Sequence, residues 1–396
     1  MRVGVVGGGV VGLATAWYLA ERGADPFVVD AGSVGGGCSR GSLGWISPTL
    51  SVPLAGPGLG WRSLAGMLRR DGPLYIRTAA LPSLLPWLAG FRRHCTESAW
   101  TRGIARLAAL NEGTMALYDG LAAAGVDFEF ARTGILIAFR DRRKAEQQRT
   151  ELRAVSEVSS PRWREVDEGG LQELEPLLKP GFSEGFLLES DGHLRPESLT
   201  AGLAAALRGR GVELIEGCRV EGYREDGRWV RALTSAEGEI DADAVVLAAG
   251  VGTAELARAA GQALFLTAGK GYTVTVEAST RQLRRPLILG AEKVGMTPFS
   301  GAIRFGGTME LSGVNDRLDR RRIAPLRDAV ERGVKIAEAQ SGGVEWVGMR
   351  PMLPDTLPLV GRIASRRNVY VNVGHQMLGL TLALSCGKAL AEMVTG

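Results

Sequence analysis

Apolar positions along the chain fall into short β-branched runs and longer stretches with helical spacing, and the first such alternation lies at the N-terminus. Residues 3–6 read Val-Gly-Val-Val and predict a strand; residues 13–22 carry helical spacing ended by Gly23, and residues 26–29 predict a second strand closing on Asp30. Between residues 57 and 130 the pattern becomes helical, with several prolines and aromatics and the stretch Leu81-Pro82-Ser83-Leu84-Leu85-Pro86-Trp87-Leu88. A helix is predicted over 104–124, stopping at Gly125, followed by strands over 128–130 and 135–139 around Thr133-Gly134. Residues 140–179 are charged and read as helix with solvated faces. From residue 196 the alternation returns, with a helix over 196–208 stopped by Gly211, strands over 212–215 and 219–223, and another over 241–247 running into Ala248-Ala249-Gly250. Period-two alternation over 264–313 predicts an antiparallel sheet lining one side of a pocket. A strand over 369–373 and a helix over 381–393 close the chain.

The fold class that follows is mixed α/β. Strands after residue 196 add to the sheet begun at Val3, so a nucleotide-binding domain is discontinuous, over residues 1–56, 191–262 and 341–396. The second unit, over 57–190 and 263–340, holds the antiparallel sheet and a helical segment. That segment is read as a cap over the site. The alternative is an amphipathic surface resting on a membrane, with Trp61 and Trp87 at the interface and arginines around them.

The turn between the first strand and helix is Gly7-Gly8-Gly9-Val10-Val11-Gly12. Gly7 allows a tight turn, Gly9 lets a pyrophosphate approach the backbone, and Gly12 lets the helix pack close to the strand. Phosphates sit on the unpaired N–H groups of the helix start at Val10 and Val11, where the dipole favours negative charge. Asp30 suits a ribose 2′-hydroxyl and repels a 2′-phosphate, so the pattern points to FAD or NAD. The loop from Ala31 to Ser42 is glycine-rich and offers a second backbone cradle, with Ser39, Arg40 and Ser42 available to the phosphates.

Composition narrows the class further. The chain has 396 residues, 45% apolar and 23% charged, with a net charge of +4 spread without a basic stripe, which argues against nucleic-acid binding. Its four cysteines are isolated, suggesting neither a metal site nor a disulfide framework and fitting a reducing cytoplasm. No apolar run approaches the roughly 18–20 residues needed to span a bilayer.

Several motifs stand in the order of one family over nearly the whole chain: Gly7 to Gly12 with Asp30, the loop from Gly41 through Leu43 to Pro48, Lys270-Gly271-Tyr272, Arg304 to Glu310, Gly348-Met349-Arg350-Pro351 through Gly361, and Gly374-His375 with Gly379 and Thr381. Together they make the sequence resemble the D-amino-acid dehydrogenase branch of the FAD-dependent amine and amino-acid oxidoreductases, the superfamily of glycine oxidase, D-amino-acid oxidase and sarcosine oxidase. The resemblance implies FAD, with Val220 beside the adenine, Ala249 and Gly250 at the nucleotide, and Gly374, Gly379, Leu380 and Thr381 near the flavin. Gly348 stands about where sarcosine oxidase ties its flavin to a Cys, so the FAD is expected to be non-covalent. The helix start at residues 379–381 would aim N–H groups at the flavin C2 carbonyl and favour the reduced state.

Arg350 matches the arginine that holds the substrate carboxylate in the superfamily, and its fork suits a carboxylate; pairing with an internal acid such as Glu345 is the structural alternative. Tyr272 is either a second substrate contact or a core tyrosine, and His375 either lines the flavin or is a satisfied turn histidine. The implied reaction passes the Cα hydrogen of an amino acid, a D-amino acid first, to flavin N5 as hydride, giving an imine and then a 2-oxo acid. Gln376 stands where the dehydrogenases usually carry Gly and Leu380 where they often carry Trp, which leaves the preferred substrate open. Those positions motivate a second reading, oxidation of a secondary or cyclic amine; a third is a non-catalytic FAD-binding subunit. With one glycine motif at a strand–helix junction, NAD(P)H is not expected as a partner. Electrons would leave to oxygen, a quinone or a carrier protein, in the cytoplasm or at the inner face of the membrane.

Overall fold

The computed structural model describes residues 1–57, 72, 74–277 and 282–396. The β-branched run at the N-terminus forms the centre of a six-stranded sheet whose order is Glu213–Ile215, Asp25–Val29, Arg2–Val6, Ala244–Leu247, Val369–Val373 and Leu359–Arg362. The first five strands run parallel and the last antiparallel. Parallel strands buried on both faces need cover on both. On one face the helices Val10–Glu21, Pro196–Gly209 and Gly379–Thr395 bury Leu13, Trp17, Leu203 and Leu384 against Val3, Val5 and Val246. On the other, an antiparallel sheet of Val220–Asp226, Trp229–Ser235 and Gly238–Asp241 packs Val230 and Leu233 on Val6, Phe27 and Val245.

A nine-stranded sheet stands beside this layer. Its main order is Val344–Met352, Thr267–Glu277, Ala302–Leu311, Val294–Phe299, Leu287–Leu289, Ile135–Phe139, Glu184–Leu188 and Trp163–Asp167, with Leu74–Ile76 paired to the third of these. The amphipathic helix Arg320–Gly333 covers one face, burying Ile323, Leu326 and Val330 against Val274 and Phe305. The mixed α/β reading and the antiparallel pattern over 264–313 therefore hold within the described residues.

The differences from the sequence reading have local causes. The helix expected over 104–124 is two, Glu97–Asn111 and Thr114–Ala123, because Gly113 takes a left-handed φ of 71° between them. Residues 140–179 hold the helix Arg142–Ser156 and then the edge strand Trp163–Asp167, in which only Val166 is fully buried, so the apolar alternation is too thin to read. The two strands around Thr133-Gly134 do not form a hairpin: Phe130–Ala131 pairs with Gly192–Leu194, and Ile135–Phe139 joins the large sheet. The strand over 219–223 belongs to the covering antiparallel sheet, not to the parallel one, and residues 241–247 are divided between two strands.

Trp87 is 5% exposed, stacks on Phe91 at 5.1 Å and donates its ring N–H to the Met352 carbonyl at 3.0 Å. It is thereby a core residue of the Leu81–His94 helix against the large sheet, not a membrane-surface tryptophan; Trp61 lies outside the described residues. No helix among the described residues is long and apolar enough to cross a membrane.

One buried acid gives the fold a pH dependence. Asp191 is fully buried beside the Gly192–Leu194 strand, accepting from the Thr49 backbone N–H at 3.1 Å and the Thr49 hydroxyl at 2.7 Å. Burial pushes its carboxyl up from 3.8 to about 7, the Thr49 bonds opposing only in part. The folded chain therefore keeps this proton while the unfolded chain releases it, so the contribution of Asp191 to stability falls as pH rises from about 4 to about 7 and levels off above. Asp191→Asn removes the dependence: its melting temperature should exceed the wild type's at pH 8 by about 3 °C or more, a gap that closes toward pH 4 in a calorimetric series.

Candidate functional site

A cavity of about 2290 Å³ opens at the carboxyl ends of the parallel strands and continues between that sheet and the large one. Gly7, Asp30 and Ala248 line it just beyond the ends of their strands. Gly7 has φ 114°, and a Cβ there would lie 2.5 Å from the Ala248 carbonyl oxygen; at Gly12 a Cβ would lie 1.8 Å from the Gly7 carbonyl oxygen. The first glycine is fixed by the turn and the last by the helix packing. At Gly9 an added Cβ would meet only the Ser39 hydroxyl, at 3.4 Å, which leaves the helix start open to a ligand.

The loop after Asp30 wraps this helix start. Ser39 Oγ accepts from the Val10 N–H at 3.1 Å, supplying a partner that the helix itself does not. Asp30 accepts from the Gly8 N–H at 2.7 Å and the Gly32 N–H at 2.8 Å, using two of the roughly four acceptor positions a carboxylate has. Ser42 Oγ is buried in the cavity lining with no partner among the described residues. The Arg40 side chain is exposed and outside the lining; its backbone is engaged instead, the N–H donating to the Gly37 carbonyl at 3.2 Å and the carbonyl accepting from Arg304 at 3.1 Å. Arg304 also donates to the Ser42 carbonyl at 2.9 Å and pairs with Glu197, so it clamps the cradle loop to the large sheet. Ala31, Val11, Leu43, Val220, Ala249 and Gly250 complete this end of the lining.

At the other end Arg350 lines the cavity from the Val344–Met352 strand. Its room comes from a neighbour. Gly271, on the paired strand, faces Gly348, and a Cβ on Gly271 would sit 2.1 Å from Arg350 Nη2. Opposite Gly271 the next strand carries an extra residue, a bulge in which Thr308 takes φ 60° and its carbonyl accepts from Arg350 Nη1 at 3.4 Å. Thr308 Oγ1 is buried and has no partner among the described residues.

No carboxylate among the described residues forms an ion pair with Arg350; Glu345 instead pairs with Arg320 and Arg327, both at 3.3 Å. Burial holds the Arg350 guanidinium below its ordinary pKa, the Cys38 thiol acting weakly the other way. A desolvated cation without a counter-charge marks a ligand site more often than a structural one. Trp346 packs beside it: a Cβ at Gly348 would lie 1.9 Å, and one at Gly41 2.1 Å, from its indole, so two glycines make its slot.

His375 is 2% exposed, and burial pushes its imidazole down to about 4, so it is neutral near pH 7. Its Nε2 has no partner among the described residues, and it lines the cavity just before the Gly379–Thr395 helix, with Gly379 and Leu380 beside it. Gly374 turns the chain into this segment with φ 88°. Thr381 lies outside the lining and holds the loop instead: Oγ1 accepts from the Ser47 N–H at 3.1 Å. Tyr272 is fully buried away from the cavity, donating to Glu310 at 2.8 Å, and that partner and desolvation raise its pKa. Of its two readings, core packing is the one observed.

Neither Thr308 nor Trp346 was singled out from the sequence, whereas the structural reading of Arg304, a motif residue, is borne out by its clamp. A strained threonine has no sequence signal, but Gly41 and Gly348, quoted only as motif positions, are the marks of a large ring packed on backbone. Among the described residues no group of His, Cys, Asp and Glu is placed to hold a metal ion.

Comparison with known proteins agrees with this geometry. The family model DAO, FAD dependent oxidoreductase, matches residues 2–393. A D-amino acid dehydrogenase of Methylobacterium nodulans is 34% identical over all of this chain and 96% of its own length, and that of Xanthobacter autotrophicus 32% identical over the same shares. Among solved structures, glycine oxidase from Bacillus cereus superposes with a TM-score of 0.79 at 20% identity, covering 99% of this chain and 94% of the oxidase. L-proline dehydrogenase from P. horikoshii gives 0.76 at 17%, covering 99% and 92%.

The seat over Gly271 is directly testable. In Gly271→Ala the new Cβ displaces the flexible guanidinium rather than backbone, so the fold should persist while propionate binding weakens at least about tenfold by titration calorimetry. Unchanged affinity would separate Arg350 from anion binding.

Proposed function

The chain belongs to the FAD dependent oxidoreductase family, and on that premise we propose that it oxidises the C–N bond of an α-amino acid, a D-amino acid first, to an imine that hydrolyses to the 2-oxo acid. The observation that carries this reading is the cavity-lining Arg350 with no carboxylate partner among the described residues. A family of FAD enzymes whose 30–34% identical relatives are named D-amino acid dehydrogenases supplies the substrate class.

The residues present fit the cofactor. The open helix start at Gly9, the unpartnered Ser42 hydroxyl and the unpartnered His375 Nε2 are vacant hydrogen-bonding positions spread along one cavity. Ser39, Ser42, Asp30, Val220, Ala249 and Gly250 are proposed to hold the nucleotide half of FAD, and His375, Gly379 and Leu380 the flavin, without a covalent bond. Residues 1–56, 191–262 and 341–396 form the FAD-binding unit on this reading, and 57–190 with 263–340 the substrate and cap unit. FAD, when bound, supplies the two-electron acceptor for the substrate Cα–H bond.

The protein's own part is positional. Arg350 receives the carboxylate as a bidentate pair in a site whose burial strengthens the attraction. Trp346 and the apolar wall exclude water, and neutral His375 adds no positive charge beside the carbon that becomes electron-poor as its hydride leaves. No strong general base is required, because the amine arrives neutral and the remaining demand is orientation. Oxygen, a quinone or a carrier protein takes the electrons onward. Gln376 and Leu380, both in the lining, favour a second reading in which the amine is secondary or cyclic.

Anaerobic mixing with D-, L-, N-methyl and cyclic amino acids tests the proposal. Flavin should bleach with D-amino acids fastest, and the chromophore should be released on denaturation. In Arg350→Ala the KM for the same substrate should rise about a hundredfold, the effect of losing charge-assisted bonds to a carboxylate. Bleaching confined to amines without a carboxylate, or an unchanged KM, would overturn it.

A further inference from the structure

Four non-glycine residues among those described hold left-handed backbone, Lys293, Thr308, Thr356 and Gln376, and the last two are bonded to each other. Gln376 has φ 45° and Thr356 φ 59°, and both are buried. The Gln376 side-chain amide donates to the Thr356 backbone carbonyl. Its backbone N–H donates to the carbonyl of Pro351, the residue after Arg350, at 3.1 Å. Left-handed non-glycine residues persist only where the surroundings over-determine them, and such sites cluster where function uses the constraint.

The turn at 353–356 is in turn tied to the segments covering the cavity. Thr356 Oγ1 accepts from the Leu54 N–H at 3.0 Å, and Trp87 bonds the Met352 carbonyl at 3.0 Å. On the other side Gln376 follows His375 directly, and the His375 carbonyl accepts from the Leu378 N–H at 2.7 Å to begin the closing helix. A glycine at 376 would take φ 45° without strain. What glutamine adds is a side-chain donor, and that donor reaches the turn beyond Arg350.

We infer that Gln376 is a positioning residue for the carboxylate seat: its amide latch to Thr356 fixes the Arg350 strand relative to His375 and the helix start, so that arginine, flavin side and cover keep one spacing. The inference rests on the proposed role of Arg350 as the carboxylate's partner. Gln376 lines the cavity, but its side-chain N–H is committed to the Thr356 carbonyl, so the latch acts through Arg350.

The test uses the flavin-loaded full chain, with the amino acid that bleaches it fastest in the panel above and the matching deaminated acid, propionate in the case of D-alanine, as unreactive ligand. Gln376→Gly removes the donor and relieves the strain; Gln376→Met removes the donor at similar size and keeps the strain. Both should bind the acid about tenfold more weakly, read from the flavin's visible spectrum, and show a limiting rate of anaerobic flavin reduction lowered about tenfold. The Gly variant should do so with flavin content and melting temperature no lower than the wild type's. A melting change with wild-type affinity and wild-type limiting rate in both variants would overturn the latch. Arg350→Ala, measured alongside, separates the two claims: if it weakens the acid strongly while the Gln376 variants do not, only the latch falls, and if it leaves affinity intact, the carboxylate reading falls and the latch with it.

Discussion

A largely buried guanidinium that forms no ion pair with a carboxylate among the described residues is an expensive thing for a protein to keep, and the arrangement around Arg350 is shaped by keeping one. Burial opposes its charge. The fold accommodates it with a glycine on the neighbouring strand, whose missing Cβ is the guanidinium's seat, and a bulge that turns the Thr308 carbonyl toward it. Acids of the same sheet are engaged elsewhere, Glu345 with the exposed Arg320 and the half-buried Arg327, and Glu310 with Tyr272. On the proposed function, an incoming substrate carboxylate would supply the missing counter-charge, so substrate binding and electrostatic satisfaction of the site would be one event.

The two sheets divide the remaining work. The parallel sheet presents strand ends, a glycine turn and a helix start, which suit a phosphate-bearing cofactor; the nine-stranded sheet contributes Arg350 and Trp346 to the lining from its Val344–Met352 strand. Arg304 joins them, reaching from the large sheet to two carbonyls of the cradle loop and to Glu197. A residue that holds both halves of the site in register contributes through geometry, although it touches neither end of the cavity.

Legibility in the sequence follows how local the causes are. The strand, glycine turn, helix and strand up to Asp30 were readable because each residue's task depends on its own backbone and near neighbours. The helix break at Gly113 was missed because a left-handed glycine between two apolar-periodic segments resembles an ordinary helical glycine. The edge strand Trp163–Asp167 was missed because one buried Val166 leaves no alternation. In the site, the place of Arg350 in the cavity lining was readable from its motif. Tyr272 was not separable from a core tyrosine, since its partner Glu310 lies far along the chain, and the Thr308 bulge exists only in the pairing of two strands.

The central claim is that Arg350 selects substrates by their carboxylate. Its most direct test compares an amino acid with the amine that lacks only the carboxylate, in the wild type and in Arg350→Ala, by the second-order rate constant of anaerobic flavin reduction. The account predicts that the wild type prefers the amino acid by about a hundredfold or more and that the variant loses most of this preference, with the amine's rate little changed. An equal preference in both proteins would contradict it.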